Sequence, residues 1–223
     1  MPARFGESAP RPRLLILTDT LPDPRGQASQ HRLSLLLQEL APDRDLYLTV
    51  LASQRLHLKA WRRAQACCTA LTVEPPEAAR RLDLPISRTV DRWQKDGAFT
   101  TVIAFGSSVW PALRWFRQTL TVCDLATDTQ TCFDQGGRLL DRAKRGKHFR
   151  NACATAERSQ VTVVGTRAHA QPYLTRAGRT IIIPNEHMAR LPEFLDQMDP
   201  TRDQTSQQVV TSRRTTPNLA QAA

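Results

Sequence analysis

The chain has 223 residues, 40% of them hydrophobic, five cysteines and a formal net charge of +10. That is enough apolar material for one packed domain with tails, and no segment approaches the roughly 20 apolar residues that span a bilayer. The odd, irregularly spaced cysteines include no C-x-x-C pair, which argues against a disulfide framework or a zinc knuckle.

The first twelve residues, polar and proline-rich, read as a flexible arm without the apolar core of a secretory signal, so a cytoplasmic location is expected. "RLLILTD", from Arg13 to Asp19, is a short apolar run of the kind a buried parallel strand needs. A loop with two prolines and Gly26 follows. It leads into "SQHRLSLLLQELA", where Leu33, Leu36, Leu37 and Leu40 recur at helical spacing and Ser29 is the expected N-cap. "DLYLTVLAS" is a second strand, "LHLKAWRRAQACC" a basic amphipathic helix, and "ALTVEPP" a short strand closed by two prolines.

"EAARRLDL" and "ISRTVDRWQKDG" are expected helices, the second ending at Gly97. "FTTVIAFG" is a strong strand. "SSVWPALRWFRQ" is expected to be a helix with Pro111 in its first turn. "LTVCDLATD" is a strand ending in carboxylates. Thr129 to Arg158 reads as helix with breaks at Gly136, Gly137 and Gly146. "QVTVVGT" is a strand, "RAHAQPYLTRAG" a short helix, and "TIIIPN" a buried last strand. Strands alternating with helices predict an α/β, Rossmann-like, doubly wound and mostly parallel sheet of six or seven strands over residues 13–195. Residues 196–223, rich in Thr, Gln, Ser and Asn, read as a disordered tail.

Ligands of such sheets bind beyond the C-terminal ends of the strands. No G-x-G-x-x-G follows the first strand, so a standard dinucleotide site is not expected, and no P-loop is present. The backbone amides around Gly26 and the start of the next helix are a candidate anion site, with Arg25, His31 and Arg32 adding charge. An ordinary exposed loop fits the same spacing. Asp124 and Asp128 end a strand where a carboxylate would accept sugar hydroxyls or act as a base, although Asp128 also fits as a helix cap. The five histidines are dispersed and show no metal-ligand spacing, so no metal is expected. There is no G-x-S-x-G elbow. "GRLLDRAKRGKHFR" is the densest basic run. It fits a phosphate backbone, an anionic membrane surface or a plain solvated helix face, and its single aromatic, Phe149, speaks against single-stranded nucleic acid.

Four segments, in this order, resemble the N-terminal, acceptor-side domain of GT-B glycosyltransferases of the family 4 type, as found in bacterial polysaccharide clusters. They are "LLILTDTLPDPRGQASQHRLSLLLQELA", "FTTVIAFGSSVWPAL", "TVCDLATDTQTCFDQ" and "ATAERSQVTVVGTRAHAQPYLTRAGRTIIIPNE", together spanning about Arg13 to Met188. The last is the most specific, through the spacing from Glu157 through Thr166 to Pro184-Asn185. The resemblance implies a domain that holds a sugar or lipid-linked acceptor, with Asp124 as candidate catalytic residue. It implies substrate contacts at Arg25, Gly26, His31, Arg32, Asp128, Thr166 and Asn185. It also implies metal-independent transfer and a nucleotide-sugar donor carried by a second Rossmann domain.

Two positions depart from the family pattern. Phe105-Gly106 stand where a histidine is common, and Glu186 stands where "PNG" has its glycine, a substitution expected to strain a positive-φ turn. The residues after "PNE" are too few for another Rossmann layer, so the expected protein is half of a split sugar transferase or a truncated remnant, with no cofactor of its own. Its expected partners are a separate nucleotide-sugar-binding domain, an acceptor and, peripherally, the inner membrane face. The other reading is a basic Rossmann-like module for nucleic acid or an anionic surface, with nucleic acid the less favoured partner.

Overall fold

In a computed structural model, residues 10–52, 57–77, 87–116, 118–127, 139–174 and 178–198 are described. The arm before residue 10, the "EAARRLDL" helix, Asp128, the first part of the Thr129–Arg158 segment and the tail beyond Met198 lie outside them.

Seven strands form one parallel sheet: β1 (Arg13–Thr18), β2 (Asp45–Leu51), β3 (Ala70–Glu74), β4 (Thr101–Phe105), β5 (Leu120–Asp124), β6 (Val161–Val164) and β7 (Arg179–Ile182). Their order in the sheet is β3-β2-β1-β4-β5-β6-β7, the doubly wound arrangement with its reversal between β1 and β4. Six α-helices accompany them among the described residues: α1 (Ala28–Leu40), α2 (Leu58–Cys67), α3 (Arg88–Asp96), α4 (Leu139–Arg158), α5 (Arg167–Ala170) and α6 (Arg190–Met198). The domain is a Rossmann-like α/β layer, as the alternation of apolar runs and helical periods predicts.

The continuous apolar runs have the composition of strands buried on both faces. Successive side chains of β1 divide between two cores, as the period of 2 requires. Leu14 and Ile16 join Leu33, Leu36, Leu37 and Leu40 of α1 and Leu191 and Leu195 of α6. Leu15 and Leu17 join Val90 and Trp93 of α3 and Ala152, Cys153 and Ala156 of α4. Helix α6 is tied back to the loop after α1 by Arg44, whose Nη2 donates to the Pro192 carbonyl (2.9 Å) and to the Asp196 carboxylate. No helix among the described residues is long and apolar enough to cross a membrane.

Several local expectations differ from the structure. Helix α1 starts one residue before Ser29, because the Gln30 side chain reaches back to accept the Gln27 N–H (2.9 Å) and closes the end without Ser29. Ser107–Trp115 is a 3-10 segment rather than an α-helix, and Pro111 lies in its middle. A proline there has no N–H for an α-helical bond and its ring crowds the preceding turn. Helix α4 runs unbroken through Gly146, around which a Cβ would meet nothing within 4 Å. Strand β7 is the sheet edge, not a buried strand, and Ile182 is 45% exposed. Glu186 is unstrained. It lies in the 3-10 turn Asn185–His187, and no described non-glycine residue has positive φ.

Gly106 is the position where backbone geometry dictates the residue. Its φ of 90° and ψ of 156° turn the chain out of β4, and its N–H donates to the Asp124 carbonyl (3.0 Å). An L side chain is strained there by about 1–3 kcal/mol. Gly106→Ala is therefore expected to lower unfolding free energy by about that amount in urea titrations, with an unchanged m-value. An unaltered midpoint would show that the turn relaxes freely.

Candidate functional site

The C-terminal ends of β5, β6 and β7 and the first turns of α1 enclose a cavity of about 290 Å³. Its walls include Ala28, Arg32, Thr166, His169, Asn185 and Glu186. Each wall residue arrives there for a local reason. Leucines at helical spacing bury one face of α1, and Arg32, adjacent to Leu33, turns toward the end of β5. Thr166 lies two residues past β6 and caps α5, its Oγ1 accepting the His169 N–H (3.3 Å). Asn185 and Glu186 begin the 3-10 turn that Pro184 sets up after β7.

Behind the wall that Arg32 forms lies a buried ion pair. Arg32 and Asp124 side chains are 1% and 2% exposed. Arg32 Nε donates to both carboxylate oxygens of Asp124 at 3.0 Å. Arg32 Nη1 donates to Asn185 Oδ1 at 2.7 Å, and the Ala126 N–H donates to Asp124 Oδ1 at 3.1 Å. The remaining nitrogen, Arg32 Nη2, is buried and has no hydrogen-bond partner. Asp124 is not a wall of the cavity, and its oxygens are occupied by Arg32 and a backbone amide. Its geometry suits anchoring Arg32 rather than meeting a ligand.

The other residues singled out by sequence lie as follows. Arg32, Thr166 and Asn185 share the cavity, and Asp124 stands behind Arg32. Arg25, Gly26 and His31 lie in the loop after β1, whose bonds turn inward: Arg25 N–H to Asp23 Oδ1 (3.1 Å), Gly26 N–H to the Asp23 carbonyl (3.0 Å) and His31 Nδ1 to the Pro24 carbonyl (3.0 Å). The Arg25 N–H bond also holds the Asp23 carboxyl below its usual pKa, with Arg63 adding to the effect. The amides of Arg25, Gly26 and Gln27 are thus engaged within the loop and not presented to an anion. Asp128 lies outside the described residues.

Sequence reasoning did not single out His169 as a wall of the cavity, nor Glu186 as more than a departure. A threonine N-cap three residues before His169 was the available signal for the first. It also passed over a pair at the β1/β4 reversal, where Ser108 Oγ donates to Asp19 Oδ2 at 2.6 Å. Burial pushes the Cys67 and Cys68 thiols up, Cys68 to about 12.

No protein-family model matches the sequence, and no curated relative does. Among solved structures, the chain is similar to a UDP-glucosyltransferase from Polygonum tinctorium capable of glucosylating indoxyl, solved with 3,4-dichloroaniline. The match has a TM-score of 0.51 and 9% identity, and covers 79% of this chain and 52% of that one. The chain therefore spans about half the length of that glycosyltransferase. A short chain dehydrogenase from Mycobacterium smegmatis matches with a TM-score of 0.46 and 13% identity over 81% of this chain and 84% of that one. The likeness to the glucosyltransferase is of fold alone, a Rossmann-like layer.

Removing one member of a buried ion pair strands the other charge and costs about 3–5 kcal/mol, whereas replacing both with apolar residues is often neutral. Asp124→Ala should therefore destabilise the protein by about 3–5 kcal/mol in denaturant titrations, and the double variant Arg32→Met, Asp124→Leu should recover most of the loss. A single-variant loss under about 1 kcal/mol would mean that water reaches Arg32 freely.

Proposed function

We propose that this chain is the acceptor-side half of a GT-B-type sugar transferase, of the family 4 kind, and that the cavity above β5–β7 holds a hydroxyl-bearing acceptor. The observation that carries this reading is Arg32, clamped by Asp124 and Asn185 in the wall of a cavity at the C-terminal ends of the strands. The neighbouring groups fit the same ligand chemistry. Asn185 spends its oxygen on Arg32, which leaves its amide N–H groups to donate. Thr166 accepts the His169 N–H and keeps its own proton to give. Glu186, exposed at the rim, accepts from hydroxyls. This mix of donors and acceptors, with Arg32 neutralised by Asp124, suits a sugar or polyol better than a multiply charged anion.

In this reading the chain's own residues bind and orient the acceptor. Asp124 fixes the guanidinium, Arg32 and Asn185 grip one face of the acceptor, and Glu186 orients a hydroxyl. The nucleotide-sugar belongs to a second, donor-binding domain working with this one. A membrane-facing, lipid-linked form of the acceptor and a role in polysaccharide assembly are part of the proposal.

Saturation-transfer NMR with a saccharide panel tests the acceptor half, and the same measurement with UDP-glucose tests the donor half. Saccharide binding is expected without comparable UDP-glucose binding. Glu186→Ala, an exposed change, should weaken saccharide binding about ten-fold, the worth of one charge-assisted hydrogen bond, at unchanged stability. UDP-glucose binding without saccharide binding would reverse the assignment.

A further inference from the structure

Helix α6 follows directly on the turn that supplies Asn185 and Glu186 to the cavity wall. The chain between them is bonded step by step. The Met188 N–H donates to the Asn185 carbonyl (3.3 Å), and the Leu191 N–H donates to the Met188 carbonyl (2.9 Å). Met188 is buried in the same core as Leu191 and Leu195. Turn and helix are therefore one piece, and the seat of α6 fixes the place of Asn185.

Two arginines hold that piece against α1, one at each end. Arg32, within α1, donates from Nη1 to Asn185 Oδ1 (2.7 Å). Arg44, just past the C-terminal end of α1, donates from Nη2 to the Pro192 carbonyl (2.9 Å) and to the Asp196 carboxylate. A helix of nine residues is too short to keep its shape and place unaided in water. Its buried side chains are Leu191 and Leu195, so the bonds to Arg44 carry part of the seating. Arg179 also stacks on Phe194, 5.1 Å from the ring centre, but from an exposed position where such contacts are weak. The Arg44 side chain is 3% exposed and that of Asp196 is 36% exposed. The guanidinium is thus the buried member of the pair, with a strong demand for its acceptors on α6.

We propose that Arg44 is a positioning residue of the acceptor cavity: through α6 it holds Asn185 against Arg32. The inference rests on the acceptor reading for what the cavity holds, and on the bonds alone for what Arg44 does.

The test uses the full chain and NMR. Arg44→Met removes the buried charge, keeps an apolar filling and leaves Asp196 able to reach water, so the variant should fold. Exchange of the Met188 and Leu191 amides is expected to quicken about ten-fold or more, as in a local opening, while the Ile16 and Ile103 amides of β1 and β4 keep their rates. The side-chain amide signal of Asn185 should shift with it. Arg44→Lys keeps the charge and one donor and should recover part of both effects. Lys95→Ala, which breaks an exposed pair with Asp91, should move neither. Unchanged exchange in Arg44→Met would overturn the proposal. So would faster exchange with an unshifted Asn185 signal, which would make Arg44 a purely structural tie. A saccharide titration of the same samples keeps the two readings apart. Arg44→Met should weaken saccharide binding several-fold, whereas absence of binding to the unaltered chain would overturn the acceptor reading and leave the exchange and Asn185 signals to decide the role of Arg44.

Discussion

The ion pair between Arg32 and Asp124 ties three parts of the chain together at one point. Arg32 belongs to the first helix, Asp124 to the end of β5, and Asn185, which takes a second bond from Arg32, to the turn after β7. Two charges taken out of water are held apart from solvent by the strand ends above and the leucines of α1 beside them. Their mutual attraction roughly offsets their desolvation, so the pair adds little net stability. What it adds is position. A guanidinium clamped at Nε and Nη1 is held in one orientation, and its residue forms part of the cavity wall. The carboxylate that sequence marks as a reactive group is thus the part that holds another group still.

The same economy appears elsewhere among the arginines. Arg13 stacks 4.6 Å from the centre of the Tyr47 ring and 5.5 Å from that of Phe99, and donates to the Trp93 carbonyl (3.0 Å). A Cβ on Gly97 would sit 1.9 Å from the Arg13 guanidinium, so the glycine after α3 makes room for that arginine as much as it ends a helix. Arg44 closes α6 onto the body of the domain. Arg32 and Arg44 are thus matched by carboxylates and add nothing to the +10 net charge, while Arg13 is held against aromatic rings. This weakens any reading of the chain from its charge alone.

The strands were legible because burial on both faces demands uninterrupted apolar runs, and β1, β2, β4 and β5 supply them. The leucine period of α1 was legible for the same reason. The failures have physical causes of their own. A proline inside "SSVWPALRW" selects a 3-10 path that helical spacing does not reveal. "TIIIPN" has the composition of a buried strand and the position of an edge, and composition carries no information about which strand comes last in the sheet. For the site, Arg32, Thr166 and Asn185 were visible as polar residues at strand and helix ends. Their meeting was not, because Arg32 lies 92 residues from Asp124 and 153 from Asn185. Hydrogen bonds at such separations follow from topology, and the role of Asp124 changes once its partner is known.

The topology also explains why this sheet has more than one polar end. A doubly wound sheet opens a crevice where its winding reverses, here between β1 and β4. That crevice carries Asp19 and Ser108, bonded to each other at 2.6 Å. The cavity walled by Arg32, Thr166 and Asn185 is displaced from it, toward the ends of β5, β6 and β7. Gly106 lies between the two. Its left-handed turn moves the chain out of β4 and lets its N–H close on the Asp124 carbonyl, so that one backbone bond links the reversal to the residue that anchors Arg32. A side chain at position 106 would disturb both ends, because the bond that closes on Asp124 is made by a residue whose φ only glycine adopts without strain.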